Sequence, residues 1–324
     1  MSILKNIKHS KKSQLFGGLL GFCVADAFGV PFEFKQREEL SNLKFNEMIG
    51  YGTHNQEPGT WSDDSSLMFC TVESLINNYN VEDISRKFVD WYYNRLWTPY
   101  GKVFDIGRTT QTSIERIRYG CSAKESGRDN ENDNGNGSLM RILPLAYYLK
   151  DCNEKRFEVI EEVSSITHAH IRSKIACAIY TEIAINLLKG YSIFDAYNKM
   201  KTVIIQYYEV RGYSSELEHF QRILHDNVGN LRIHDIKSSG YVVDTLESVI
   251  WCCLNSKTYK STVITAIGLG EDTDTIGALA GGLSGIHYGY KGIPKNWLNS
   301  IARKDDIKKL LYKYYKNLYQ IRFL

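Results

Sequence analysis

The sequence predicts an all-α protein, and three features of its 324 residues indicate this. Only 5 prolines are present, which favours long helices over a turn-rich β-sandwich. Apolar residues recur at helical spacing in several segments, whereas convincing strand alternation is hard to find. Hydrophobic residues make up 43% and charged residues 24%, the balance of a folded protein rather than a disordered one. We therefore expect one domain of many packed helices.

The helical segments can be placed in order along the chain. Residues 66–76 carry apolar side chains on one stripe, and residues 126–137 form a polar, turn-rich loop that leads into the helix-like segment 138–149. Residues 175–188 predict a nearly buried helix that ends before Gly190, a plausible C-cap. Residues 243–254 predict a similar helix, and residues 306–319 predict an amphipathic terminal helix with lysines on its outer face.

The chain contains no repeat and no long linker, so we divide it into a lysine-rich extension, residues 1–14, and a single domain, residues 15–324. The apolar run Phe16–Ala25 is cut by Asp26 after ten residues, too short for a membrane span, and no clean cleavage site follows. The seven cysteines are odd in number and form no Cys-x-x-Cys pair, which favours reduced thiols in a cytoplasmic protein. A net charge of +3 predicts neither a nucleic-acid nor a membrane partner.

Two acidic clusters are the strongest chemical signals. In the first, Ser62 is well placed as an N-cap, with Asp63 and Asp64 in the first helical turn. In the second, Asp272 and Asp274 stand two apart in a glycine-punctuated loop that can turn both carboxylates and the neighbouring threonine hydroxyl toward one point. Capping alone would explain either cluster by itself.

Together the clusters offer four carboxylates and two hydroxyls, which are the oxygen ligands that Mg²⁺, Mn²⁺ and Ca²⁺ prefer. Two divalent ions would balance the four charges, so a two-metal site built from two helix N-termini is a coherent hypothesis. Gly277, Gly281 and Gly285 follow the second cluster at i, i+4 and i+8. Three glycines on one helical face predict a very close approach by a neighbouring helix.

Seven motifs then occur in a fixed order, and with them the chain resembles the ADP-ribosylglycohydrolase family from about residue 15 to residue 290. This family includes the dinitrogenase reductase-activating glycohydrolase and the ADP-ribosyl-arginine and ADP-ribosyl-serine hydrolases. The motifs are Ala25–Glu33, Trp61–Ser65, Phe104–Gly107, Gly135–Arg141, Ile166–His168, Gly240–Glu247 and Gly270–Ala278. The resemblance implies a compact orthogonal multi-helix fold with a centre of two Mg²⁺ (or Mn²⁺) ions.

The resemblance also implies roles for individual residues. The metal ligands would be Ser62, Asp63, Asp64, Asp272, Asp274 and Thr275. Glu33 would lie beside the metals and Asp105 near the scissile bond, either of them able to act as the protonic partner, with Asp272 as a further catalytic residue. The substrate would contact Asp105, Gly135, Asn136, Gly137, Ser138 and His168, with the glycine turn close to the diphosphate. The ions would bind the distal ribose and activate the water that releases ADP-ribose.

Some positions leave alternatives open. Asn134 stands where some family members carry an aromatic residue that holds the nucleotide, so adenine stacking would need another ring, with residues 91–97 as candidates. Arg141 is either a phosphate contact or the partner of a nearby acid. His168 and His170 could suggest a zinc site, but their i, i+2 spacing and the lack of a matching cysteine or histidine nearby argue against one. Asp244 and Glu247 are interpreted as an exposed or capping helix face.

The leading hypothesis is a metal-dependent hydrolase that removes ADP-ribose from a protein side chain, arginine first. Its partner would be the ADP-ribosylated protein. The rival is an immunity-type protein that blocks a cognate ADP-ribosyltransferase by contact, with or without hydrolysis. A third hypothesis is hydrolysis of free ADP-ribose derivatives or other nucleotides. The complete set of oxygen ligands favours the enzyme, because a protein that only blocks a transferase does not need them.

Overall fold

A computed structural model describes residues 9–41, 43 and 47–319 of the chain. Most of the proposed extension, residues 1–8, lies outside the described residues. The remaining boundary at residue 14 falls within the first helix, which begins at Lys11. Across the described residues there are helices and no β-strand, as the sequence predicted. Two isolated backbone bridges join Arg128 to His168 and Gly135 to Tyr241.

The α-helices, in chain order, are Lys11–Gly29 (α1), Arg37–Leu40 (α2), Asp63–Leu75 (α3), Val81–Asn94 (α4), Arg108–Arg118 (α5), Pro144–Leu149 (α6), Lys155–Ser165 (α7), Ile171–Leu188 (α8), Ile193–Val210 (α9), Ser214–Leu217 (α10), Gln221–Leu224 (α11), Val242–Leu254 (α12), Tyr259–Ile267 (α13), Thr273–Tyr288 (α14), Lys295–Ser300 (α15) and Lys304–Tyr319 (α16). Short 3₁₀ turns lie between them at Val30–Phe32, Glu131–Asp133, Asn136–Arg141, Glu218–Phe220, Val228–Asn230, Ile233–Asp235 and Tyr290–Gly292.

Helices α1 and α14 form the centre of the domain and pack along each other. A Cβ atom added at Gly285 would lie 2.1 Å from the carbonyl oxygen of Gly17, and one at Gly281 would lie 2.5 Å from the Cβ of Ala25. The glycine stripe therefore serves the close helix approach that its spacing predicted. The segment Lys11–Phe32 is long and apolar enough to cross a membrane by composition, yet 94% of its apolar window is buried inside the domain.

The contact between α1 and α14 ends at the acidic clusters. A Cβ added at Gly29 would lie 2.5 Å from the Cα of Asp274, so the end of α1 touches the start of α14. Asp26, in the last turns of α1, accepts hydrogen bonds from the backbone N–H groups of Ser62 (3.0 Å) and Ser65 (3.1 Å). The beginnings of α3 and α14 are thus both fixed to one end of α1.

The helices predicted from periodicity are present, with one difference. Ser62 caps α3, its side chain accepting from the N–H of Asp64, and Gly190 follows the end of α8 with φ +92°. The segment 138–149 is not one helix: a 3₁₀ turn ends at Arg141, and α6 begins at Pro144. The break precedes the proline because Pro144 has no N–H with which to continue the hydrogen-bond ladder of a helix through residues 138–149.

Candidate active site

A cavity of about 620 Å³ opens where the N-termini of α3 and α14 meet. Asp63 and Asp64 reach it from α3, and Asp272 and Thr275 reach it from α14. The Thr275 hydroxyl donates to Asp64 Oδ1 over 3.4 Å, a contact that joins the two helices. The chain separation of these residues is large, so the two clusters come together only in the tertiary fold.

The carboxylates at this point are buried and short of partners. Asp64 Oδ2 and Asp274 Oδ1 are inaccessible to solvent and accept no hydrogen bond among the described residues. Burial raises the pKa of each carboxyl, and the charges of neighbouring carboxylates raise it further. One carboxylate oxygen each from Glu33, Asp272 and Asp274 lies within 4.8 Å of the others. An all-oxygen set with unpartnered buried carboxylates fits a hard divalent cation.

Two polar residues hold the second cluster in place. Asn136 Nδ2 donates to Asp272 Oδ2 (2.6 Å) and to the Thr245 hydroxyl (3.0 Å). The backbone N–H of Asp272 donates to the Ser238 carbonyl. Asn136, expected to contact substrate, lines the cavity and also orients an acidic residue beside it.

Glu33 and Asp105 meet at one side of the cavity, and a histidine joins them. His54 Nε2 is hydrogen-bonded to Glu33 Oε2 and lies 3.8 Å from Asp105 Oδ1. Burial raises the pKa of Glu33 to about 10, assisted by the charges of Asp274 and Asp272. Burial also raises the pKa of Asp105 to about 10, with Asp63 the largest charge acting on it. Burial lowers the pKa of His54, so its imidazole is neutral at pH 7.

The rim beside Glu33 is formed by residues in a strained backbone conformation. Phe34 (φ +63°) and Glu271 (φ +58°) both occupy the left-handed region, and both line the cavity. The Phe34 N–H donates to the Glu271 carbonyl (2.7 Å), and the Glu271 N–H donates to the Lys35 carbonyl (2.7 Å). The side chain of Phe34 remains 64% exposed. Strain of this kind at a cavity mouth is typical of functional positions.

The other end of the cavity is a glycine turn. Gly135, Asn136 and Gly137 line the cavity together with His168, which is otherwise buried. A Cβ added at Gly137 would lie 2.7 Å from the His168 ring, so glycine is required for the turn to pass over the imidazole.

Comparison with known proteins decides the family. The family model described as ADP-ribosylglycohydrolase matches residues 8–322. The chain belongs to the ADP-ribosylglycohydrolase family. It is 29% identical over 300 residues to the ADP-ribosylarginine hydrolase Tri1 of Serratia proteamaculans, covering 91% of this chain and 76% of that protein. It is 28% identical over 300 residues to the ADP-ribosyl-[dinitrogen reductase] glycohydrolase of Rhodospirillum rubrum, covering 91% and 92%.

A solved structure described as an ADP-ribosylglycohydrolase-related protein complex superimposes with a TM-score of 0.78 and 23% identity, covering 95% of this chain and 98% of that chain. That likeness shows the fold. Family membership confirms the hydrolase hypothesis, and the comparisons do not favour the immunity alternative.

Not every position that the family resemblance singled out reaches the cavity with its side chain. The Ser138 hydroxyl is fully buried, accepts from the Ser164 hydroxyl (2.9 Å) and lies 3.4 Å from Cys177 Sγ. Among residues 91–97, proposed as adenine-stacking candidates, none lines the cavity, and Trp91 and Trp97 are core residues. Trp91 faces the interior because α4 is amphipathic and buries one side, and Trp97 lies in the loop after α4.

Two further expectations change, and one residue beside the cavity was not predicted. Arg141 is neither exposed to the cavity nor paired with an acid in the described part of the chain: it is fully buried and donates to the Val163 carbonyl and the Thr167 hydroxyl. Glu247 is buried and lies 3.0 Å from Arg222, rather than on an exposed face. His54 was not predicted at all, since a lone histidine in a glycine-rich loop shows no periodicity and no ligand spacing.

Proposed function

We propose that this protein is a metal-dependent hydrolase that removes ADP-ribose from arginine side chains of modified proteins. The observation that carries the proposal is the meeting of two acidic helix N-termini, with unpartnered buried oxygens on Asp64 and Asp274, beside a cavity of ligand size. The names of the relatives, an ADP-ribosylarginine hydrolase and an ADP-ribosyl-[dinitrogen reductase] glycohydrolase, support this substrate class.

Two Mg²⁺ or Mn²⁺ ions suit the site, because four carboxylates in one buried place need about four compensating charges. The residues that would hold them are Ser62, Asp63, Asp64, Asp272, Asp274 and Thr275. When bound, such ions supply Lewis acidity and lower the pKa of a coordinated water. Asn136 would keep Asp272 in its ligating orientation through the 2.6 Å hydrogen bond.

Glu33, His54 and Asp105 form the proton-handling group of the site. A nitrogen leaving group departs more easily when it is protonated, and a carboxylic acid with a raised pKa is the usual donor in glycoside cleavage. The raised pKa values of Glu33 and Asp105 fit that role. His54 holds the Glu33 carboxyl by a hydrogen bond at Oε2 and keeps it beside the cavity.

The rim offers a place for a guanidinium group. Phe34 presents an exposed ring at the cavity, next to Glu33, and the acidic residue Glu271, whose backbone carbonyl accepts from the Phe34 N–H, also lines the cavity. A guanidinium stacks on aromatic faces and pairs with carboxylates. This pairing supports arginine over serine as the modified residue.

The cellular setting follows from the same proposal. All seven cysteines are free, which supports a reducing compartment such as the cytoplasm. An ADP-ribosyltransferase that modifies arginine would supply the substrate, and the protein that it modifies would be the binding partner.

The test is release of ADP-ribose from an arginine-ADP-ribosylated protein with Mg²⁺, with Mn²⁺ and with EDTA. We expect release that requires the ion and disappears in Asp272→Ala and Asp274→Ala, while the exposed-residue control Asp305→Ala keeps wild-type activity. Release from serine-linked substrate or from free nucleotides instead would overturn the arginine assignment. Undiminished release in EDTA would overturn the metal requirement.

A further inference from the structure

Arg141 is a fully buried cation whose position needs a reason. It makes no ion pair among the described residues; instead Nη1 donates to the Val163 carbonyl (3.1 Å) and Nη2 donates to the Thr167 hydroxyl (2.7 Å). Its guanidinium also lies 4.6 Å from the ring centre of Phe88. A buried charge is costly when no acid compensates for it. The cost indicates that the arginine serves something beyond packing.

The contact through Thr167 leads to the active-site histidine. The Thr167 hydroxyl lies 2.8 Å from His168 Nδ1, directly between that ring and Arg141. An arginine can only donate hydrogen bonds, so the oxygen of Thr167 accepts from it and the single hydroxyl proton is left for another partner. Within the described residues, His168 Nδ1 is the one acceptor in contact with that hydroxyl.

This chain of donors fixes the protonation of the ring. The Thr167 hydroxyl proton has a partner only if Nδ1 accepts it, so we assign the ring proton of the neutral imidazole to Nε2. Burial and the charge of Arg141 lower the pKa of His168 to about 3, which keeps the ring neutral at every working pH. Nε2 carries a proton and has no hydrogen-bond partner in the described structure.

The Nε2 edge faces the glycine turn. A Cβ added at Gly137 would lie 3.3 Å from Nε2, and one added at Gly135 would lie 3.7 Å from it. His168 lines the cavity at this point although it is only 2% exposed. The N–H is therefore aimed into the space that a ligand held by the turn would occupy.

We propose that Arg141 and Thr167 are positioning residues that hold His168 as the Nε2–H tautomer, so that it donates a hydrogen bond to an anionic oxygen of the bound substrate's diphosphate. The other tautomer would present a lone pair to that oxygen and repel it. A buried N–H with its direction already set costs little reorganisation when the ligand binds. The inference rests on the proposed function, because it assumes a diphosphate ligand in this cavity.

The first test is binding of free ADP-ribose by isothermal titration calorimetry. Thr167→Val removes the hydroxyl with little change of volume, and Thr167→Ser restores it. The matched control is Thr181→Val, a fully buried threonine whose hydroxyl has no hydrogen-bond partner in the described structure. We expect Thr167→Val to raise Kd about tenfold or more, the value of a hydrogen bond to a charged group, while Thr167→Ser and Thr181→Val stay near wild type.

The second test reads the tautomer directly. In protein labelled with ¹⁵N-histidine, the His168 signals are assigned by their loss in His168→Gln. We expect an unprotonated Nδ1 and a protonated Nε2 in the wild type, a signature that a purely structural role would not require. A protonated Nδ1, or equal Kd values for Thr167→Val and Thr181→Val, would overturn the inference. A wild type that binds no ADP-ribose would instead overturn the proposed function.

Discussion

Removing the metal ions should make the stability of the protein fall as the pH rises. Glu33 and Asp105 are buried carboxyls whose pKa is raised to about 10 in the folded, metal-free chain. In the unfolded chain each returns to its ordinary value near 4. Between these values the folded state holds a proton that the unfolded state has released. The stabilisation that the folded state gains by holding this proton is therefore fully present below about pH 4 and is lost as the pH rises toward 10.

The size of the effect follows from proton linkage. One proton held only by the folded state changes the free energy of unfolding by about 1.4 kcal/mol per pH unit. Because Glu33 and Asp105 lie close together, we count one such proton for the pair. From pH 6 to pH 8 the metal-free protein should then lose about 3 kcal/mol, or about 4 to 5 °C in Tm for a chain of this size.

The assay is thermal unfolding at pH 6, 7 and 8, with EDTA and with saturating Mg²⁺ or Mn²⁺. Bound cations replace the protons as compensation for the carboxylates, so the ion-induced rise in Tm should grow with pH. The double variant Glu33→Gln/Asp105→Asn should flatten the EDTA curve, since it removes both carboxyls of the pair. A Tm that is independent of pH in EDTA, or falls equally with and without the ion, would refute the reasoning.

Three other outcomes follow from the same structure. Phe34→Ala should raise KM for arginine-ADP-ribosylated protein several-fold and leave the Kd for free ADP-ribose unchanged, whereas Tyr119→Ala, which is 87% exposed elsewhere, should alter neither. Gly285→Ala should lower Tm by at least 5 °C in a thermal melt, because its Cβ would overlap a backbone oxygen at 2.1 Å, while Gly107→Ala meets nothing within 4 Å and should melt normally. Asn136→Ala should lower kcat about tenfold or more in the release assay and weaken Mg²⁺ binding, since it frees an acidic residue held at 2.6 Å; an unchanged affinity would contradict this.

The sequence predicted those parts of the site that depend on local chain chemistry. Ser62 begins a helix because its hydroxyl can accept an N-terminal N–H, and that alone places Asp63 and Asp64 at a helix start. The glycine stripe of α14 likewise predicted a close helix partner, although it did not identify α1 as that partner. Local patterns of this kind predict the structure correctly because the interactions behind them are made within one or two turns of helix.

Other parts of the site depend on contacts between distant segments, and no local pattern records them. His54 reaches Glu33 only because the segment around it folds back onto the turn after α1, where the Thr53 N–H donates to the Pro31 carbonyl. Arg141 donates to the Val163 carbonyl in α7 and to the Thr167 hydroxyl in the loop after it, rather than to an acid. Because these partners are neutral, no acidic residue at a recognisable spacing in the sequence marks the contact. An acidic or phosphate partner was therefore the expectation for Arg141.

The glycines at the contact between α1 and α14 also shape the site, because they set the distance between the acidic groups. Gly29 allows the end of α1 to touch the backbone of Asp274, and Glu33 follows Gly29 by only four residues. A side chain at this contact would push the two segments apart and move Glu33 away from Asp272 and Asp274, with which it now shares a space of 4.8 Å. The packing of the core and the geometry of the proposed metal site therefore depend on the same feature, which is the absence of a Cβ atom at a few positions.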